Sequence, residues 1–391
     1  MLFQIKSKPE DFVVEEVLAE GFPSWKGDFL YVFFEKENLT TMDVVDYLTK
    51  NLHLQRDELG IAWLKDKAWI TRQWISISKR SLDKVWGDDL FVKTLWEKAR
   101  ILKRSRNESW LKVASNDWNN FKIRLRARQK IADEIKNQIE NNVKKIRERW
   151  FPNCFGMQRF GKWKKNFYEA KDRLKALAEE FEKKWKLKES DLPYHLRFLL
   201  QAYPSMYFNE YVLNRWEKWL FLLQWDILVD RFNSNWVKTA VYDNQNIYLF
   251  DYQKLKKEKT DLNFFEPEIE GSVVESYSDK WFSTWPMIWW NMLVPWMWTK
   301  ARVRDDQLLS LAEFDDSIQQ VCRIYNLRWI RRVLFIKVSD LKFERDSDDI
   351  NLEFSLPTWS YATTLVSFIL QWIDYLTLKD NSLVIPRISD R

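Results

Sequence analysis

Apolar residues along this chain recur at two periods, and the switches between them predict its elements. Val13–Val17 and Phe29–Glu35 alternate apolar with other residues and carry aromatic and β-branched side chains, as strands do. Ala68–Ser78 predicts a third strand. Phe121–Arg128 predicts a fourth, in which Lys122, Arg124, Arg126 and Arg128 alternate with apolar residues, so that one face enters a core and the other is cationic. A period near 3.6 predicts helices over Thr41–Asn51, with Thr40 or Thr41 as N-cap, and over Ile131–Arg149, where Ile131, Ile135, Ile139, Val143 and Ile146 share a face. Asn166–Leu187 reads as a charged, exposed helix and Leu192–Leu223 as helical and rich in aromatics. Beyond residue 225 short strands are expected at Val237–Tyr242, Ile247–Phe250, Val333–Val338 and Asn351–Phe354, followed by a helix over Tyr361–Leu376. There is no internal repeat. The pattern is mixed α/β, of the α+β kind.

Composition narrows the chemistry. A length of 391 suggests two or three domains, and 46% apolar residues supply ample core. The two cysteines, Cys154 and Cys322, are far apart and support neither a disulfide framework nor a cysteine zinc site. The two histidines, His53 and His195, are isolated. Catalysis would therefore run on carboxylates, lysines and aromatics, with no metal and no cofactor expected. The first residues lack the apolar core of a signal peptide, and the most apolar stretch, Trp285–Trp298, is too short to span a membrane. The reading is of a cytoplasmic monomer with no membrane partner. Net charge is only +6, but residues 93–130 hold twelve Lys or Arg against three acids, and 144–165 eight against one, which suits a phosphate backbone.

One short segment concentrates the candidate chemistry. Asp66 stands between Lys65 and Lys67, just before the predicted strand. Cations on both sides keep a carboxylate ionised and ready to act as nucleophile or base. By itself Lys-Asp-Lys is more often a solvated turn.

The run Ala62-Trp-Leu-Lys-Asp-Lys-Ala-Trp-Ile-Thr-Arg-Gln73 resembles the nucleophile motif of the TruD family of tRNA pseudouridine synthases. Four further blocks resemble the family in its own order. Lys6 with Pro9-Glu-Asp-Phe-Val-Val-Glu-Glu16 matches the first, Trp150–Gly161 the third, Gln201–Glu210 the fourth and Leu356–Thr363 the fifth. The resemblance implies a pseudouridine synthase core at about 1–180 and 329–391, split by an inserted TRUD domain at about 181–328. It implies isomerisation of uridine to pseudouridine in tRNA, at position 13 of the D arm. Asp66 falls on the family's nucleophile, and Lys6 on the lysine that would pair with it. Phe12 would line the pocket, Phe155 would stack on the flipped base and Asn153 would hydrogen-bond its polar edge. A buried core role remains open for both Phe12 and Phe155. Gln158, Arg159, Thr71 and Gln73 would support the site. The alternative is a non-catalytic RNA-binding relative of the same fold.

The chain departs from the family in one systematic way. Trp63, Trp69, Trp150 and Trp359 stand where the family has Gly, and Trp25, Trp118, Trp163, Trp225, Trp285 and Trp289 follow suit; Trp74 fits as a true Trp. Only 7 of the 391 residues are Gly and 24 are Trp. Exchanging about 20 of these Trp for Gly would restore the roughly 7% Gly of ordinary proteins. The hypothesis that follows is a gene in which UGA specifies glycine, read here as tryptophan. UGG codons at positions 63, 150 and 359 would end it.

Overall fold

A computed structural model describes residues 2–19, 22–65, 67, 69–112, 116–148, 150–161, 164–184, 192–217, 226–230, 239–242, 247–250, 273–275, 281–286, 303, 316–325 and 331–370. Its contacts divide the chain into two compact units. One runs from the first residue to Glu148 and takes in Lys337–Ala362; the other comprises Arg149–Ile336 with Thr363–Gln371.

The first unit is built on a nine-stranded sheet. Its strands are β1 (Phe3–Ile5), β2 (Phe12–Leu18), β3 (Phe29–Lys36), β4 (Leu59–Ile61), β5 (Ile70–Ser78), β6 (Arg100–Asn107), β7 (Asn116–Ala127), β16 (Ser339–Asp346) and β17 (Asp349–Pro357). The order is β16-β17-β7-β2-β5-β3-β6, with β1 added to β7 and β4 to β5. Only β2 and β5 run parallel; the other pairs are antiparallel. A parallel pair needs a crossover, and this one carries α1 (Thr41–Leu52). Thr40 caps α1: its side chain accepts from the Asp43 N–H at 3.0 Å, while Asp43 accepts from the Thr40 N–H at 2.7 Å. Two neutralised helix-end donors are the reason the helix starts there. Helices α2 (Lys79–Lys84) and α3 (Asp88–Trp96) follow β5.

Alternation decides what each face of the sheet meets. Leu30, Val32 and Phe34 of β3 and Ile75 and Ile77 of β5 pack against Val44, Val45, Leu48 and Leu52 of α1 and Phe91, Val92 and Leu95 of α3. Each such side chain contributes about 1.5–3 kcal/mol when fully buried. The intervening Tyr31 and Trp74 enter a second, smaller cluster with Leu18, Ala62 and Leu111. Strand β7 has the predicted alternation: Phe121, Ile123 and Leu125 are buried. The cations between them meet acids. Lys122 reaches Glu353 at 2.9 Å, Arg124 reaches Asp346 at 2.7 Å and Asp349 at 2.8 Å, and Arg126 forks onto Asp11 with two bonds of 2.7 Å. The strand read from sequence as a bare cationic face is laced to its neighbours. Helix α4 (Asp133–Glu148) buries Ile139 and Val143, as its period predicts.

The second unit contains β8 (Phe151–Pro152), α5 (Met157–Phe160), α6 (Lys165–Lys184), α7 (Tyr194–Leu200), α8 (Ala202–Glu217), α9 (Asp316–Ile324) and β15 (Phe335–Ile336). It also holds a six-stranded sheet, ordered β12-β11-β10-β9-β13-β14. These strands are β9 (Ile227–Asp230), β10 (Thr239–Tyr242), β11 (Ile247–Phe250), β12 (Val273–Glu275), β13 (Trp281–Pro286) and β14 (Arg331–Val333). The stretch read as helical over 192–223 holds two helices, α7 and α8, meeting at Gln201; residues 218–223 lie outside the described residues. The strand expected at Val333–Val338 is likewise two, β14 and β15, separated at Leu334. The final helix, α10, spans Ala362–Leu370, starting one residue later than predicted; residues 371–376 of its predicted span lie outside the described residues. No described helix is long and apolar enough to cross a membrane.

Nine described non-glycine residues adopt positive φ, and three are tryptophans: Trp25 (66°), Trp86 (62°) and Trp359 (70°). Tryptophan is only 24 of 391 residues, so the left-handed region is enriched in a side chain ill suited to it. Trp86 is not among the positions that the sequence singled out.

Candidate active site

The apolar face of the first sheet breaks at one end. Lys36 on β3, Thr71 and Gln73 on β5, Glu16 on β2 and Asn119 on β7 are all buried. Their registers put them on one face: Lys36 lies opposite Thr71, Thr71 beside Val14, and Glu16 opposite Asn119. Five polar side chains across four strands occupy positions at which alternation would otherwise place core. Burial of that kind is costly unless partners are supplied.

The loop before β5 supplies some of them. Lys65 donates its N–H to Thr41 Oγ1 at 2.8 Å and accepts from the Thr41 N–H at 3.2 Å, so the start of α1 clamps this loop. Thr41 Oγ1 in turn donates to Gln73 Oε1 at 3.0 Å. The Lys65 ammonium donates to Asn119 Oδ1. Glu16 Oε2 accepts from the Trp74 N–H at 3.0 Å. Burial pushes the Glu16 carboxyl above the ordinary glutamate range; the Lys65 charge and the Trp74 N–H pull it partly back. Glu16 Oε1, Thr71 Oγ1, Gln73 Nε2 and both polar atoms of the Asn116 side chain are buried without a hydrogen-bond partner.

At the margin of this patch Lys6 takes a left-handed backbone, with φ of 64°. Its ammonium lies 4.4 Å from the ring centres of both Phe12 and Trp69, which are 5.7 Å from each other. Two ring faces attract a cation and hold it near the chain. Phe12 also meets Phe121 edge-on at 6.3 Å and is buried. Residues of the fifth block arrive at the same unit: Trp359 touches Trp63 at 4.3 Å, and Thr358 donates its N–H to Asp117 O at 3.0 Å. Asp66 itself lies outside the described residues, between Lys65 and the exposed Lys67.

Asn153 and Phe155 are in the second unit. Asn153 donates its N–H to Leu334 O at 2.8 Å and its Nδ2–H to Val333 O at 3.1 Å, and its Oδ1 accepts from Arg332 at 2.8 Å. The Arg332 guanidinium lies 4.1 Å from the centre of the Phe155 ring. Phe155 exchanges hydrogen bonds with Asn209: its N–H donates to Oδ1 at 2.8 Å and its carbonyl accepts from Nδ2 at 2.9 Å. The third and fourth sequence blocks are thus joined across 54 residues. Phe155 is only 3% exposed and packs edge-on against Phe208, the surroundings of a core ring. Arg159 reaches Gln201 at 3.0 Å, and Gln158 is exposed.

Glu16 and Arg332 are among the buried groups that escaped sequence reasoning. Glu16 had a visible signal, an acid on the inward phase of the alternating strand Phe12, Val14, Glu16, Leu18. Arg332 had none, because its partners are 179 residues away. No group of three or more His, Cys, Asp or Glu that could hold a metal ion occurs among the described residues.

Comparison with known proteins adds to this geometry. The family model described as tRNA pseudouridine synthase D (TruD) matches residues 2–174. The tRNA pseudouridine synthase D of Sulfurimonas denitrificans is 28% identical over 275 residues, 70% of this chain and 67% of that protein. That of Thermus thermophilus is 27% identical over 363 residues, covering 93% and 87%. That of Wolinella succinogenes is 32% identical over 213 residues, 54% of each. The crystal structure of the putative tRNA pseudouridine synthase D from Methanosarcina mazei superposes with a TM-score of 0.60 at 17% identity, over 94% of this chain and 93% of that one, which shows a shared fold. With five motif blocks in order along it, the chain is similar to the tRNA pseudouridine synthase D (TruD) family over residues 2–174, and to proteins of that name almost end to end.

Proposed function

We propose that this protein isomerises uridine to pseudouridine in tRNA, at position 13 of the D arm, with Asp66 as the nucleophile. The names of its relatives support the reaction class. The observation that carries the site is the Lys6 ammonium, cradled by Phe12 and Trp69 beside the loop that bears Asp66. A carboxylate in partly dry surroundings needs such a cation to stay charged.

The chemistry follows from that pairing. The Asp66 carboxylate attacks C1′ of the ribose, or stabilises the cation there, as the bond from N1 of the base to C1′ breaks. The freed base turns and C5 bonds to C1′, displacing the Asp66 carboxylate if it had bonded there and returning it free. The proton on C5 is lost, N1 gains one, and the balance closes without an oxidant or reductant. Phe12 forms an apolar wall that keeps the detached base from escaping. Asn153 keeps one amide N–H and one oxygen lone pair beyond its described bonds, enough to meet the polar edge of a base. Stacking of the base on Phe155, which the resemblance implies, would require its buried ring to come out from beside Phe208 and Arg332. The split of the catalytic core by an insert at about 181–328 belongs to the same reading; the separate sheet β9–β14 falls within or next to that span.

Tritium release from tRNA carrying uridine tritiated at C5 tests the reading. Wild type is expected to release tritium and Asp66→Asn to release none, with tRNA affinity within a few-fold, since binding rests on many phosphate contacts. Release by the variant would remove Asp66 from its role. A wild type that binds tRNA and releases nothing would favour the non-catalytic RNA-binding relative. Pseudouridine mapped to the T arm or anticodon arm would overturn the assigned position.

A further inference from the structure

Glu16 is a carboxylate the reaction above does not use, and its location is unfavourable for the fold. It is 3% exposed, it takes an inward position of β2 between Val14 and Leu18, and one of its oxygens is buried without a hydrogen-bond partner. A leucine there would continue the core. Two features of its surroundings suggest what it does instead. Its cross-strand neighbour Asn119 accepts from the Lys65 ammonium, so a positive charge is held on the residue paired with Glu16. The residue after Lys65 is Asp66.

We propose that Glu16 is a positioning residue: with Asn119 it holds the Lys65 side chain down on the sheet, and so sets the place of Asp66. The backbone of Lys65 is fixed separately by Thr41 at 2.8 and 3.2 Å. Lys65 is thus anchored through both main chain and side chain next to the proposed nucleophile, and displacement of a reacting group by about 1 Å can cost on the order of 10²-fold in rate. The inference rests on Asp66 as nucleophile.

Glu16→Gln tests it, because the amide oxygen can still accept from the Trp74 N–H while the charge is lost. Its other neighbours on β5 and β7 are Thr71, Gln73, Asn116 and Asn119, none of which titrates, and the Lys36 ammonium donates to Leu39 O at 2.6 Å. A carboxyl whose pKa is raised by burial takes up protons on folding, so it weakens the fold as pH rises through its folded pKa. E16Q is therefore expected to melt at or above the wild-type temperature at pH 8, with the difference closing towards pH 4. Its kcat is expected to fall at least about tenfold, with KM within twofold. Asn119→Ala, which removes the other Lys65 acceptor, is expected to lower kcat in the same direction. A merely structural Glu16 gives E16Q the full kcat, and that result overturns the proposal, as does N119A at full kcat. If the wild type makes no pseudouridine, the reaction itself was misread. NMR of the Lys65 side chain then still decides, since its pKa falls in E16Q if the contact exists and is unchanged if it does not.

Discussion

Trp86 is 90% exposed, with φ of 62°, and Gly87 follows it. Left-handed backbone costs an L residue with a Cβ roughly 1–2 kcal/mol, and an indole in water returns nothing by burial. Trp25 and Trp359 share the conformation at 59% and 49% exposure, though Trp25 has Lys103 over its ring and Trp359 touches Trp63. Trp86→Gly is expected to stabilise the protein by about 1 kcal/mol, the strain outweighing the extra freedom of an unfolded glycine. Trp25→Gly and Trp359→Gly should gain less, because each gives up a ring contact. Thermal melts of the single variants check this; a lower melting temperature for W86G would contradict it. The same three positions carry the UGA hypothesis to its direct test. Mass spectrometry of the protein from its own cells is expected to find glycine at 25, 86 and 359, and tryptophan there would refute it.

At the scale of elements, short polar clasps fix where strands and helices begin. Glu58 ends the turn before β4; it accepts from the Gln55 N–H at 2.9 Å, from Ser81 of α2 at 2.9 Å and from Lys84 at 2.6 Å. These bonds, that from Gln55 first, hold its carboxyl down to about 2. A depressed pKa means the unfolded chain binds the proton more readily, so the contribution is present above the ordinary glutamate range and lost as pH falls to about 2. Glu58→Gln is expected to melt a few degrees below wild type at pH 7, with the gap closing between about pH 4.5 and 2. A gap independent of pH would mean that packing, not charge, is what Glu58 supplies. Much at this scale was legible beforehand. The α1 cap, the β2, β3 and β7 alternation and the α4 stripe are local patterns, and local sterics and burial decide them. The break at Gln201 and the split at Leu334 were not legible, because an apolar run looks alike in one element or two. Strands β6 and β16 were missed for another reason. Most of their side chains are exposed or half-buried, so no alternation marks them, and their pairing with β3 and β17 is what makes them strands.

At the scale of the whole molecule, charge has a different meaning folded than along the chain. The cationic strand Lys122–Arg128 counts towards an RNA footprint in sequence, yet Lys122, Arg124 and Arg126 are each paired with acids drawn from β16–β17 or from the turn before β2. Arg126→Ala strands Asp11, which is fully buried, and is expected to lower the melting temperature by several degrees. The salt dependence of tRNA binding should not change, whereas loss of a true phosphate contact would flatten the log–log slope by a little under one. A flatter slope in R126A would return that arginine to the RNA surface. Sequence by itself determined the mixed class, the principal local elements, the family blocks and the identity of the candidate groups, since each is written in adjacent residues or in periods of two and 3.6. Only the tertiary structure decided which of those groups share a face, which cations are spent on neighbours, and that Glu16, Lys65 and Asn119 form one cluster. Those facts depend on strand register and on pairing between residues up to hundreds of positions apart, and the chain carries no local mark of either.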